Sequence, residues 1–475
     1  GVVVPALTKS MDLSRIEKGE NVRRKKSVWK RHAGKKFKNI CCMILGKHTG
    51  QIYEKFAGGF CKANLALGAS IGIQLTMLPV SLYFFGEVSL VGIFLNLLVL
   101  PTVGVVLGSG VIGLLAGCVS FSVGRVVILP GKVLAGIYEE LCKLSGNLPF
   151  GIWITGQPKL WQVAVYYILF AGAVWLLTQK GKRERKIIAF VVVCLAMSIL
   201  IWREPEPFSV SCLDVGQGDA SLLQSGGQTL LLDGGSTSQK NVGTYVILPY
   251  IKQQGISCLE AVVLTHTDQD HINGVTEVLE EGKKGWLTVK NLMYPYWMEG
   301  TEQGKQLKKL AEEAGASCRK IRAGDRLTIG KAEAVVLYPK EQEKIEEPNA
   351  GSLVLFWKWE GVRAMFTGDL PEEKERELLQ NLPACEILQV GHHGSATSTC
   401  REFLEQVQPS LAVISCAMKN RYGHPSPDTV DRLKKTGCEI RYTMRSGAIT
   451  IRKRGREILV TEYLERVAGH GVNSN

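Results

Sequence analysis

From about residue 65 to residue 202 the chain strings together long apolar runs with short polar breaks, and after residue 203 apolar positions come in short bursts between turn residues. Five runs predict membrane helices: roughly Leu65–Phe85, Leu90–Leu107, Val111–Leu129, Leu160–Thr178 and Ile187–Trp202. Each approaches the ~20 residues needed to cross the hydrocarbon core, and the last is short. Only Gly108-Ser109-Gly110 separates the second run from the third, so these two can also be one broken or re-entrant element. Buried helices of a large soluble core are the competing reading. It fits poorly, because ~140 residues with so few charges are hard to place in a soluble fold.

Beyond Trp202 the pattern changes. Glu204-Pro205-Glu206-Pro207 reads as a linker, followed by short strands at Phe208–Leu213, Ala220–Gln224 and Thr229–Leu232, then a helix-like stretch at Val242–Gln254. Ala261-Val262-Val263-Leu264 is a continuous apolar strand, as expected where both sheet faces are covered. Strands and helices alternate to about residue 440, which predicts an α/β domain with layered sheets. The organisation expected is a basic segment over 1–60, a transmembrane domain over 61–202 and a globular domain over 203–475. The start lacks Met and runs apolar over Gly1–Leu7, which is expected of a fragment.

Charge sharpens this division. Mean hydropathy is +0.07 with 21% charged residues, an average of two unlike halves. Residues 1–40 hold twelve Lys/Arg against Asp12, Glu17 and Glu20, and Lys180–Lys186 holds five against Glu184; together these account for the whole net charge of +13. Both clusters flank apolar runs, as cytoplasmic loops do. With the N-terminal arm inside, five crossings place residues 203–475 outside the cytoplasm. A nucleic-acid-binding arm at 23–38 is the alternative reading of the first cluster. The thirteen Cys include no CxxC pair, which argues against a disulfide scaffold or a zinc ribbon.

The chemistry concentrates in Thr265-His266-Thr267-Asp268-Gln269-Asp270-His271, directly after an apolar strand. A loop leaving a strand end can turn these imidazoles and carboxylates toward one divalent metal. The run resembles the HxHxDH signature of the metallo-β-lactamase superfamily, with Asp268 where most members have His. Leu231-Leu232-Asp233-Gly234-Gly235, Phe366-Thr367-Gly368-Asp369 and Gly391-His392-His393-Gly394-Ser395 resemble further landmarks of that superfamily. No His occurs from Ile272 to Asp369. The superfamily's middle His is therefore absent or replaced, with Asn349 or Ser352 in the corresponding region. Leu213-Asp214-Val215-Gly216-Gln217-Gly218-Asp219-Ala220 and Asn420-Arg421-Tyr422-Gly423-His424-Pro425 narrow the match. So do Gln74-Leu75, Leu78-Pro79, Phe85-Gly86, Asn96 and Leu100-Pro101 in the apolar half. Together, over about residues 65–450, they resemble the ComEC-type DNA-uptake channels of competent bacteria.

That resemblance implies a multi-pass cell-membrane protein with a helical membrane segment followed by an αββα metallo-β-lactamase-like sandwich. It implies passage of single-stranded DNA and metal-dependent degradation of the other strand, alongside other competence proteins. Two divalent ions (manganese, zinc or magnesium) are the expected cofactors, since carboxylates harden the site. The expected ligands are His266, Asp268, Asp270, His271, Asp369 (bridging), His392 and His393, with Asp270 and His424 moving protons. Asp214, Gln217, Asp219, Asp233, Asn349 and Asn420 are expected to shape the site. A membrane-anchored hydrolase of a small ester, or a non-catalytic DNA-guiding domain, are the rival readings.

Overall fold

The computed structural model describes residues 48–464 except 147, 149–150, 180–182, 205–207, 342 and 455–456, with side chains from residue 67. The basic N-terminal arm, the start of the second basic cluster and most of the Glu-Pro linker lie outside the described residues. The chain divides into two compact units, Gly1–Trp202 and Arg203–Asn475.

The first unit is helical: α1 (His48–Phe85), α2 (Gly92–Val119), α3 (Phe121–Gly146), α4 (Leu160–Thr178) and α5 (Arg183–Ile201), with a small antiparallel pair β1 (Glu87–Ser89) and β2 (Ile152–Ile154). Among the described residues four stretches are long and apolar enough to cross a membrane: Leu67–Phe85, Gly92–Val119, Phe121–Gly146 and Leu160–Thr178. Two expectations are corrected. First, α2 runs unbroken through Gly108-Ser109-Gly110, and the chain breaks instead at Ser120, which is extended (φ −149, ψ 118). Ser109 serves helix contact rather than a turn, while Gly108 and Gly110 meet open space. A Cβ on Gly124 of α3 would lie 2.6 Å from the Cα of Gly117, and one on Gly131 would lie 2.2 Å from Ser109 Oγ. Small residues let backbones approach where lipid leaves packing as the main attraction. Second, α5 is not among the four, because Arg183, Glu184, Arg185 and Lys186 fill its first turn and only Ile187–Ile201 is free of charge.

Polar groups inside this unit answer backbone needs. Pro79 within α1 cannot donate to the carbonyl four residues back. The hydroxyl of Tyr166 on α4 donates to that orphan, Leu75 O, at 2.7 Å, and Tyr167 donates to Thr76 O at 3.1 Å. Buried Gln162 accepts from Lys159 N and donates to Ile199 O and Trp202 O, tying the start of α4 to the end of α5.

The second unit contains two large sheets. One has the order β8-β7-β6-β5-β4-β3-β16-β17, from β3 (Phe208–Cys212), β4 (Ser221–Ser225), β5 (Gln228–Leu232), β6 (Ala261–Val263), β7 (Asn291–Pro295), β8 (Ser317–Ile321), β16 (Ile449–Arg454) and β17 (Glu457–Glu462). The other runs β9-β10-β11-β12-β13-β14-β15, from β9 (Arg326–Ile329), β10 (Ala332–Tyr338), β11 (Val354–Trp359), β12 (Val362–Phe366), β13 (Ile387–Gln389), β14 (Leu411–Ile414) and β15 (Glu439–Tyr442). The twofold alternation of strands sorts their side chains. Leu230 and Leu232 join Val210, Leu223, Trp357, Ala364 and Val413 in the core between the sheets. Leu231 faces the other way, into a cluster with Val275 and Val278 of α6 (Gln269–Lys283) and Leu307 of α7 (Glu302–Glu313). On the far face Met365, Leu388 and Ala412 pack under Phe403 and Leu404 of α8 (Arg401–Val407) and Leu433 of α9 (Pro427–Lys435). The result is the expected αββα sandwich. Strands β5 and β6 are parallel, as are β12, β13 and β14. Their C-terminal ends therefore release their loops along one edge, where ligands bind in open α/β sheets.

Candidate metal centre

Three imidazoles from these loops point inward, and their hydrogen bonds fix which nitrogen is bare. Thr265 Oγ1 gives its one proton to Asp233 Oδ2 (2.7 Å), so at its contact with His266 Nδ1 (2.9 Å) the ring must donate. His271 Nδ1 donates to Asp233 Oδ2 (2.9 Å), and His393 Nδ1 donates to the carbonyl of Ser415 (3.1 Å). All three Nδ1 atoms are used outward. Among the described residues, the Nε2 atoms of His266, His271 and His393 are buried with no hydrogen-bond partner, as are Asp369 Oδ1 and Asp219 Oδ1. His271 Nε2 stands 3.1 Å from Asp369 Oδ1, an ion-pair distance without hydrogen-bond geometry. A buried polar atom without a partner is costly, so a cluster of five implies a missing partner. The donor set, imidazole nitrogen with carboxylate oxygen, fits a divalent cation.

Asp369 is central. Its Oδ2 lies 3.9 Å from His266 Nε2, 3.8 Å from His392 Nε2 and 3.7 Å from His393 Nε2. Asp268 Oδ2 is 4.0 Å from His266 Nε2, and Asp270 Oδ2 is 3.5 Å from His393 Nε2. Asp219, His271, Asp369 and His393 each bring one ligand atom within 4.8 Å of the others, all buried. Sequence reasoning gave Asp219 a shaping role; its carboxylate instead stands inside the group. Its signal was present but easily read as a turn. Gly218 has φ +153, and a Cβ there would lie 2.2 Å from Gly235 O and 2.6 Å from Asp270 O. Only glycine lets this turn press against the metal loop and set Asp219 N on Asp270 O at 3.0 Å.

The electrostatics describe a site short of positive charge. Burial works against ionisation of Asp369, yet the neighbouring imidazoles of His271 and His393 hold it well below the usual carboxylate value. Burial likewise opposes charge on His393, but Asp369, Asp270 and Asp219 raise it to about 9, and Asp369 with Asp233 raises His271 well above its ordinary value. Burial and the adjacent His271 lower His266 to about 4, leaving it neutral and fit to ligate. Burial pushes Asp219 up to about 6. Protons on two imidazoles stand where a cation would neutralise the carboxylates.

The remaining expected residues divide. His392, 27% exposed, and His424 line a cleft of about 340 Å³ with Asp268, Asp270 and Asp369. Gln217 is buried; its Oε1 accepts from Ala417 N (3.4 Å), which turns Nε2 to donate to His424 Nδ1 (3.2 Å). Neutral His424 therefore carries its proton on Nε2, and burial with His392 and His393 nearby holds its pKa at about 4. Ser352 accepts from Asp369 N (3.2 Å) and so supports the central carboxylate. Asn349 is not among the residues lining the cleft, and Asp214 only caps the turn at Gly216 N (3.2 Å). Asn420 braces the loop before His424. Asp233, His392 and His393 all have positive φ (54°, 49° and 54°), strain of roughly 1–3 kcal/mol each that gathers at functional sites.

A model of the metallo-beta-lactamase superfamily matches residues 213–417, and one described as competence protein matches residues 29–180. Found in succession on one chain, these two domains make it similar to the ComEC family of competence proteins. The chain is 29% identical to ComE operon protein 3 of Bacillus subtilis, covering 82% of this chain and 51% of that one. With Recombination protein 2 of Haemophilus influenzae identity is 26%, covering 80% and 49%. The chain thus spans about half the length of the curated relatives it matches. Among solved structures it is similar to the metallo-beta-lactamase fold protein YhfI from Bacillus subtilis, at 12% identity and TM-score 0.36, covering 53% of this chain and 99% of that one.

Proposed function

We propose that this chain serves DNA uptake, with residues 203–475 acting as a metal-dependent nuclease on one strand while the membrane helices carry the other. The observation that supports a hydrolytic centre most is the set of bare, buried Nε2 atoms of His266, His271 and His393 around Asp369. In this reading His266, Asp268, Asp270, His271, Asp369, His392 and His393 hold the metal, joined by Asp219, and Asp369 faces enough of them to bridge two ions. Bound there, a divalent pair supplies Lewis-acid polarisation of a phosphodiester and a water of pKa ~7. Asp233, Thr265 and Ser415 hold the imidazoles in the ligating tautomer. Asp270 takes a proton at its carboxylate, and the Nε2–H of neutral His424, oriented through Gln217, hydrogen-bonds the leaving oxygen. The orientation expected from charge needs α5 to cross. Its uncharged part spans ~22 Å at 1.5 Å per residue, short of the ~30 Å core, with Phe190 and Val191 facing outward.

The test is the full chain in detergent with manganese and labelled single- and double-stranded DNA. Cleavage that stops on chelation and is lost in Asp369→Ala supports the reading. Folded, metal-loaded protein that leaves both DNAs intact overturns it and favours a small ester or a DNA-guiding role.

A further inference from the structure

One wall of the cleft is built from stacked π systems. The segment Ala417–Pro425 follows β14, and Asn420 folds it with four hydrogen bonds. Its Nδ2 donates to Ala417 O (3.0 Å) and His424 O (2.6 Å), and its Oδ1 accepts from Tyr422 N (3.1 Å) and His424 N (3.0 Å). So braced, the segment brings three planar groups together. The Tyr422 ring lies 5.6 Å from that of His424 and 27° from parallel, and the Arg421 guanidinium sits 5.0 Å over the Tyr422 ring, donating to its hydroxyl at 2.8 Å. Tyr422 is 46% exposed and lines the same cleft as Asp268, Asp369 and His392. A half-exposed aromatic ring beside a metal centre needs a reason, and neither hydrolysis nor metal binding provides one.

We propose that Tyr422 is a stacking platform for one base of a single-stranded nucleic acid, placed to set the adjoining phosphodiester against the metal centre. This rests on the nuclease reading above and adds to it the form of substrate. The base occupies the face of Tyr422 that the Arg421 guanidinium covers. The guanidinium, tied there by one hydrogen bond, turns to the flanking phosphate, a group its planar fork suits. Every base has a π face, so such a platform is tolerant of sequence. It discriminates against duplex, whose bases are already stacked on one another. It also explains how a unit without a basic excess can hold DNA: stacking does not depend on net charge.

The experiment is equilibrium binding to the full chain in detergent, with chelator present so that no strand is cut. The probes are a labelled single-stranded oligonucleotide and an abasic strand of the same length and charge. The intact strand is expected to bind about 5- to 100-fold tighter, the range for one base on an aromatic ring. Tyr422→Ala should erase that difference and Tyr422→Trp should keep it, while Arg421→Ala should weaken both strands alike. Equal binding of the two strands by the unaltered chain, or a preference that survives Tyr422→Ala, overturns the platform. A base preference in a chain that never cleaves DNA sinks the nuclease reading alone, and cleavage without base preference sinks the platform alone.

Discussion

The two units are built inside out from one another. In the N-terminal unit Val119, Phe121 and Leu114 are 91%, 74% and 72% exposed, while Gln162 and Ser70 are buried. In the C-terminal unit Trp357, Phe366 and Phe403 are buried, and buried Asp219, His271, Asp369 and His393 gather at the metal centre. The difference lies in the solvent. Where lipid surrounds the helices, packing apolar side chains together gains little, so glycine contacts and hydrogen bonds hold the unit. Where water surrounds the fold, apolar burial supplies the stability. That surplus lets the second unit keep strained residues and unpartnered polar atoms at its metal centre.

If the core carries the second unit and the centre is an addition to it, removing a central ligand should abolish function and spare the fold. Asp369→Ala should lose bound metal and lower DNA cleavage by well over ~100-fold, with secondary structure retained. Asp233→Asn touches only the outer hydrogen bonds of His271 and Thr265 and should lose about 10- to 100-fold in metal affinity or rate. Metal content and cleavage rate measured on both variants test this. An Asp369→Ala protein with metal content and activity intact would remove Asp369 from the centre.

The comparison also explains what could be read from the sequence. Apolar runs and the strand-then-ligand spacing carry their own physics, so the helical half, the sandwich and the His266–His271 loop were legible. The break at Ser120 was not, because glycines at 108 and 110 look alike whether they turn a chain or lie along an unbroken helix facing open space. The place of Asp219 was not legible either, since it depends on Gly218 pressing against Asp270 across 50 residues of chain. Glu375 is one of four glutamates in Glu372–Leu378, and only the fold shows that it is the buried one.

A glycine contact close to the break at Ser120 gives the next largest effect. Gly124→Leu would drive a side chain into the backbone of α2, where a Cβ alone already falls 2.6 Å from Gly117 Cα and 2.8 Å from Gly113 O. Overpacking against backbone costs about 3 kcal/mol or more. Limited proteolysis should cut the variant between α2 and α3 much faster than the unaltered chain, whereas Gly136→Leu, at a position with open space, should change nothing. Equal proteolysis of the two variants would mean the hairpin is not held by this contact.

In the water-facing unit the comparable anchor is polar. Buried Glu375 accepts from Thr399 N and Cys400 N, both at 2.7 Å, while Arg432 donates to the carbonyls of Ser398 and Thr399. Glu375→Ala leaves two amides without partners, which costs roughly 2–3 kcal/mol. Burial raises the Glu375 carboxyl above its ordinary 4.5, so folding favours its protonated form. Its contribution is therefore largest below pH 4.5, declines as pH rises from there through the raised folded value, and is flat above that. Unfolding midpoints of the unaltered chain and Glu375→Ala should differ most at the acid end. A gap that widens with rising pH would contradict the burial argument.

The smallest effect probes the claim that the membrane half relies on hydrogen bonds at all. Tyr166→Phe keeps the ring, which is fully buried and stacks on Phe170 at 5.7 Å, and deletes only the hydroxyl that serves the Leu75 carbonyl freed by Pro79. Hydrogen bonds between membrane helices average ~0.6 kcal/mol, so the loss should be about that and detectable only by a sensitive unfolding measurement in detergent. Pro79→Ala restores the missing N–H to α1, so in that background Tyr166→Phe should cost less than it does alone. If the two substitutions add without interaction, the tyrosine hydroxyl is not the partner of the carbonyl that proline leaves open.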